Sequence, residues 1–201
     1  MTEFEPHGIH RMAGYFFKQS AEDYGAARCC LLHGLFPGFV MAEQAVEKLI
    51  KAFLLTADPT FKPKKGQGHN LAAFCARLIE KYPAISLDGF EPTIQLLQAC
   101  YDGRYPDSAA DPMPRATAEL HNVDRLYMHL ADQAPLAGDR KWSIGVFPHL
   151  YMAHLGVSNM PDGKWMLHGN AAAMRLLTGR PLPAIVERWR NAAALHPHAI
   201  P

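Results

Sequence analysis

The stretch GFVMAEQAVEKLIKAFLLTA, residues 38–57, decides the fold. Ala42, Ala45, Val46, Leu49, Ile50, Phe53 and Leu54 recur at the paired three- and four-residue steps that line one face of an α-helix with apolar side chains. Pro37 stands where a first helical turn accepts a residue lacking an amide hydrogen, and Asp58-Pro59 ends the pattern. Each large side chain on such a face contributes roughly 1.5–3 kcal/mol when fully buried. A helix this apolar must be covered by others.

Its neighbours supply the cover. From Met12 to Leu35, Phe16, Tyr24, Ala27, Leu31 and Leu35 form a helical stripe that ends at Gly34 and the LFPG turn. Asn70 is a suitable N-cap for a third helix with Leu71, Phe74, Leu78 and Ile79 inward, stopped by Pro83. A fourth helix runs from Phe90 to Asp102 with Ile94, Leu97 and Tyr101 toward the core, and Gly103 lets the chain leave it. A fifth, over residues 115–133, presents Ala116, Leu120, Val123, Tyr127 and Leu130. No alternating strand pattern occurs before residue 135. The predicted fold is all-α: an antiparallel up-and-down bundle of four to five helices over residues 10–133. Residues 134–201 form a helical appendage packed on it. There KWSIGVFPHLYMAHLG is apolar but broken by Pro148, and GNAAAMRLLTG and PLPAIVERWRNAAAL read as two short helices, the second opening on Pro183.

Composition narrows the function classes. The 201 residues are 49% hydrophobic and 19% charged, a globular balance, and the net charge of +1 rules out a global field for polyanions. Charge is uneven, however: residues 134–201 hold 7 basic against 3 acidic side chains. Arg175, Arg180, Arg188 and Arg190 there make either a solvated helix face or a seat for a polyanion. The four cysteines, Cys29, Cys30, Cys75 and Cys100, contain no Cys-x-x-Cys pair and read as buried free thiols in a reducing compartment. The N-terminal MTEFEPHGIHR is acidic and polar, unlike a secretory signal, and no apolar run is long enough to span a bilayer. The expected location is cytoplasmic, with no membrane partner. His149 and His154 lie five apart, and His196 and His198 flank a proline. Neither pair has a third ligand at sensible spacing, so no metal and no cofactor are expected.

Three segments carry a family resemblance. AEQAVEKLIKAFLL resembles the second-helix signature of HEPN domains, GHNLAAFCARL is similar to their His-polar-Leu entry into the third helix, and YDGRYPDS to their Arg-Tyr-Pro-Asp exit from the fourth. They occur in the family's order across residues 12–133; the last third lies outside the likeness. The resemblance implies a dimerising helical bundle associated with nucleotides or RNA, often beside a minimal nucleotidyltransferase in two-gene toxin–antitoxin systems. Some members are metal-independent ribonucleases with a His four to six residues beyond the Arg. Here Arg104 is followed by Tyr105, Pro106, Asp107, Ser108, Ala109, Ala110 and Asp111, without an imidazole to move a proton near neutrality. No catalytic residue is therefore assigned.

The expected binding residues are Arg104, Tyr105, Asp107, Lys48, Lys51, Gln44 and His69. Arg104 is either a cation on a helix C-terminus or a planar fork for phosphate, stiffened by the Tyr105-Pro106 turn. Glu47 and Lys51 make an ordinary i, i+4 pair; alternatively Lys48 and Lys51 line a cleft with Arg104. Gln44 reads a base or bridges subunits. Tyr105 stacks on a base, and His69 is a loop residue or meets an anion at a helix N-terminus. The binding reading requires that positions 44–51 and 104 converge in one positively charged recess. Two alternatives remain: a ribonuclease using His121 or His129, and a protein-interaction module without nucleotide affinity.

Overall fold

The computed structural model describes residues 11–62, 69–104, 116–156 and 161–195, and every regular element among them is an α-helix. The bundle comprises α1 (Arg11–Leu32), α2 (Pro37–Ala57), α3 (Leu71–Lys81), α4 (Glu91–Asp102) and α5 (Ala116–Asp132). Helix α2 is central, packing against α1, α3, α4 and α5. All seven apolar residues assigned to its inner face are buried. It lies so close to α1 that a Cβ on Gly38 would meet Leu31 Cγ at 2.7 Å and the Ala27 carbonyl oxygen at 2.9 Å.

Three registers differ from expectation. The inner stripe of α1 runs through Ala13, Phe17, Ala21, Tyr24, Ala27 and Leu31, leaving Phe16 only partly buried. Leu35 is 52% exposed because α1 ends at Leu32 and Leu35 falls in the connection. Ile79 is 42% exposed. Helix α3 packs chiefly on α2 and α4, so one stripe of Leu71, Phe74, Cys75 and Leu78 suffices, and Ile79 lies about 100° round from Leu78. Of the cysteines, Cys75 and Cys100 are buried, and desolvation pushes their thiols up to about 12 and about 11. Cys29 and Cys30 are only partly buried.

The remaining residues form α6 (Asp139–Ser143), α7 (Val146–His154), α8 (Pro161–Leu167), α9 (Ala171–Thr178) and α10 (Ala184–Leu195). Pro148 does not break the apolar stretch. It occupies the first turn of α7, where its missing amide hydrogen costs nothing. The break is at Gly145, whose φ of 69° suits glycine.

A buried polar network joins these helices to the bundle. The Arg28 guanidinium, fully buried, grips Asp124 of α5 with Nε to Oδ1 at 2.7 Å and Nη2 to Oδ2 at 3.0 Å. Two further donors reach the carbonyls of Trp165, in the last turn of α8, and His168, the latter at 2.9 Å. Tyr24 donates to Asp124 at 2.7 Å and accepts from Asn170 Nδ2 at 2.8 Å, while Asn170 Oδ1 caps α9 through the Ala173 amide. The Tyr24 ring stacks on Tyr127 with centroids 3.9 Å apart, and the Tyr127 hydroxyl meets Ser20 at 2.9 Å. Residues from α1, α5, α8 and α9 are thus satisfied by one another.

The C-terminal arginines are also engaged. Arg180 binds Asp132 through both nitrogens at 2.8 and 2.7 Å, Arg188 lies 3.4 Å from Asp139, and Arg190 is 4.0 Å from Glu187. The basic cluster therefore acts largely as an intramolecular tie. Among the described residues no helix is long and apolar enough to cross a membrane.

Breaking the central pair leaves a buried charge uncompensated. Asp124→Ala is expected to lower stability by about 3–5 kcal/mol in urea unfolding. The double change Arg28→Met with Asp124→Leu should recover most of that loss. Simple additivity of the single changes would show that the pair is not coupled.

Candidate functional site

Two of the expected binding residues meet on a side chain assigned to the core. Tyr101, 4% exposed in the last turn of α4, carries the His69 ring at 4.3 Å between centroids and the Arg104 guanidinium at 3.7 Å from its own. Arg104 is exposed and its Nη1 donates to the Tyr101 carbonyl, so it also serves as a cation on the helix C-terminus. A planar guanidinium stacked on an aromatic face gains cation–π attraction there.

His69 is held from both sides. Its Nδ1 lies 2.8 Å from Glu47 Oε2 on α2. Its carbonyl accepts from Gln98 Nε2 at 2.7 Å, and Gln98 Oε1 accepts from the Leu71 amide at 2.7 Å, which clamps the entry of α3 to α4. The other oxygen of Glu47 receives Lys51, whose ammonium also lies 4.9 Å from the Phe74 ring centre. Asn70 caps α3 through the Ala73 amide at 2.9 Å, as the sequence predicts. With Leu71 and Ala73 already bonded, these two amides are not the anion seat considered for His69. Beside the cap, Asn70, Ala73, Phe74 and Arg77 line a shallow recess.

Lys51, His69 and Arg104 are therefore linked through Glu47 and Tyr101. Lys48 is directed elsewhere, its ammonium bonded to Asp23 of α1. Gln44, one turn before it, is partly buried. Tyr105 and Asp107 lie outside the described residues. The displaced histidines do not join the group. His129 bonds the Ser86 carbonyl and packs on Phe90 before the start of α4, about 18 Å of helix away from its Arg104 end. His121 is on α5 beside Asp124.

The group is not uniformly positive. Glu43, Glu47 and Asp102 lie among Lys51, His69 and Arg104. Glu43, one turn before Glu47, is fully buried, and neither of its carboxylate oxygens has a hydrogen-bond partner. Burial first, and the Glu47 charge second, push its carboxyl up to about 9. One ligand-capable atom from each of Glu43, Glu47 and His69 lies within 4.8 Å of the others. Motif reading missed Glu43, Gln98 and the use of Tyr101 as a stacking surface. The available signal was the carboxylate pair at i, i+4 inside the apolar central helix.

Compared with known protein families, curated proteins and solved structures, the chain matches none.

The buried carboxyl has a pH signature. Glu43 keeps its proton in the folded chain up to about 9 but loses it in the unfolded chain near its ordinary 4.5, so its contribution falls as pH rises between those values and is lost above them. In chelator, Glu43→Gln should flatten the pH dependence of stability across that window. At pH 8 it should raise stability by about 1–3 kcal/mol. Parallel wild-type and variant profiles from chemical unfolding would contradict the assignment.

Proposed function

We propose that the face formed by α2, α3 and α4 binds the phosphates of a nucleotide or short RNA, in a HEPN-like protein lacking the family's Arg–His nuclease spacing. The observation that supports this reading is the joint seating of Arg104 and His69 on Tyr101, with Lys51 joined through Glu47. Those residues come one or two each from the three segments that carry the resemblance. Three segments separated along the chain thus converge on one spot, with a planar cation at its rim. The Arg104 fork suits two phosphate oxygens, and the neighbouring rings suit a base. The same reading makes the protein a homodimer and a cytoplasmic partner of a minimal nucleotidyltransferase in a two-gene toxin–antitoxin arrangement.

Arg104→Ala should weaken binding of a nucleoside triphosphate or a short single-stranded RNA at least about tenfold, or roughly 1.4 kcal/mol, in a direct titration. Lys48→Ala, whose ammonium is spent on Asp23, should change it little. Unchanged affinity in Arg104→Ala removes that residue from the site. No affinity in the wild type, together with a larger complex on co-expression with the neighbouring gene product, favours a protein-interaction module instead.

A second reading is favoured by the 2.8 Å contact between His69 and Glu47. An imidazole oriented by a carboxylate beside an arginine is a general base next to a phosphate clamp. As a metal-independent ribonuclease, the protein would cleave single-stranded RNA in chelator and lose that cleavage in both His69→Ala and Arg104→Ala. Intact RNA after incubation with the wild type excludes it.

A further inference from the structure

Glu43 poses a problem that the binding reading leaves unsolved. A carboxylate with no exposed surface and no donor on either oxygen is among the more costly arrangements a core can hold. Its neighbours do not resolve it. Lys51 is bonded to Glu47 Oε1 and His69 to Glu47 Oε2, so both nearby donors serve the other carboxylate. Two carboxyl groups here face one ammonium.

We infer that Glu43, Glu47 and His69 form a binding site for a divalent first-row transition metal such as Zn2+ or Mn2+. Their ligand atoms lie within 4.8 Å of one another, a spread that a single ion at about 2.0–2.2 Å from each donor bridges after small side-chain shifts. Two carboxylates and one imidazole match the donor preferences of Zn2+ and Mn2+. The nitrogen ligand argues against Mg2+ and Ca2+, which favour all-oxygen shells. Three protein donors leave a position open to water or an anion. The scaffold is firm: Glu43 and Glu47 are successive turns of the central helix, and Gln98 fixes the His69 backbone to α4. An ion here would supply the partner that both oxygens of Glu43 lack. The rival occupant is a proton shared between the two carboxyl groups.

The site is tested with metal alone, so its failure is separate from any failure of nucleotide binding. The full chain, stripped with chelator and dialysed against Zn2+ or Mn2+, should retain one ion per chain by elemental analysis, and calorimetric titration should give the same stoichiometry. Glu43→Gln and His69→Ala should each weaken binding by about a hundredfold or more. Their helical circular dichroism and cooperative melting, recorded in chelator, establish that they fold. Glu43→Gln preserves the shape of the buried group, so it remains informative if His69→Ala unfolds. Co2+ substitution should produce visible d–d absorption in the wild type and not in Glu43→Gln. Failure of the wild type to retain either metal overturns the proposal in favour of the shared proton. Undiminished uptake by folded Glu43→Gln overturns it in favour of a site elsewhere in the chain.

Discussion

The fold depends on where one guanidinium obtains its four hydrogen bonds. Arg28 lies inside the protein with no exposed surface, and a charge in that position persists only if it is paired and hydrogen-bonded. Asp124 supplies the countercharge in bidentate geometry, and the carbonyls of Trp165 and His168 take the outer donors. A helix-to-helix contact made of leucines would tolerate sliding; this one has a single register. Tyr24 and Asn170 extend the same constraint from α1 to the cap of α9. The last third of the chain is therefore part of the bundle's electrostatic balance as well as its cover.

At the opposite face of α2 the balance is incomplete. Glu47 is met by both Lys51 and His69, while Glu43 receives nothing. Among the buried acids, Asp124 has three donors from Arg28 and Tyr24 and Glu43 has none, and the proposed metal site rests on that contrast. Packing explains the first and leaves the second without cause. Stacking of His69 and Arg104 on Tyr101 brings an imidazole and a guanidinium together on one ring, and the imidazole also contacts Glu47.

Helical periodicity made the bundle legible because α2 is apolar on the side that contacts four neighbours, and a one-sided pattern translates directly into burial. It misled where a helix had fewer neighbours than its apolar residues suggested, as at Ile79, or ended sooner, as at Leu35. Pro148 was read as a break because the position of a helix start relative to a proline decides its effect, and Gly145 set that start. The site was half legible. His69, Lys51 and Arg104 were identifiable from local motifs, whereas Lys48 was diverted by Asp23, a residue on another helix. Arg28 could not be recognised as buried, since its partner is 96 positions away and nothing local distinguishes it from a surface arginine. Tyr101 was correctly placed in the core, yet the ring contacts with the two candidate site residues follow only from how α3 enters beside α4.

The carbonyls that complete Arg28 come from residues 137 and 140 positions further along the chain. During synthesis the first two helices can pair as soon as they emerge, because their contacts are local and the connection between them is short. The Arg28 guanidinium on α1 keeps its water until α5 delivers its carboxylate and the α8–α9 region its carbonyl oxygens. Expulsion of that water is consequently a late event, and the ribosome must release most of the polypeptide before the earliest helix acquires its final surroundings.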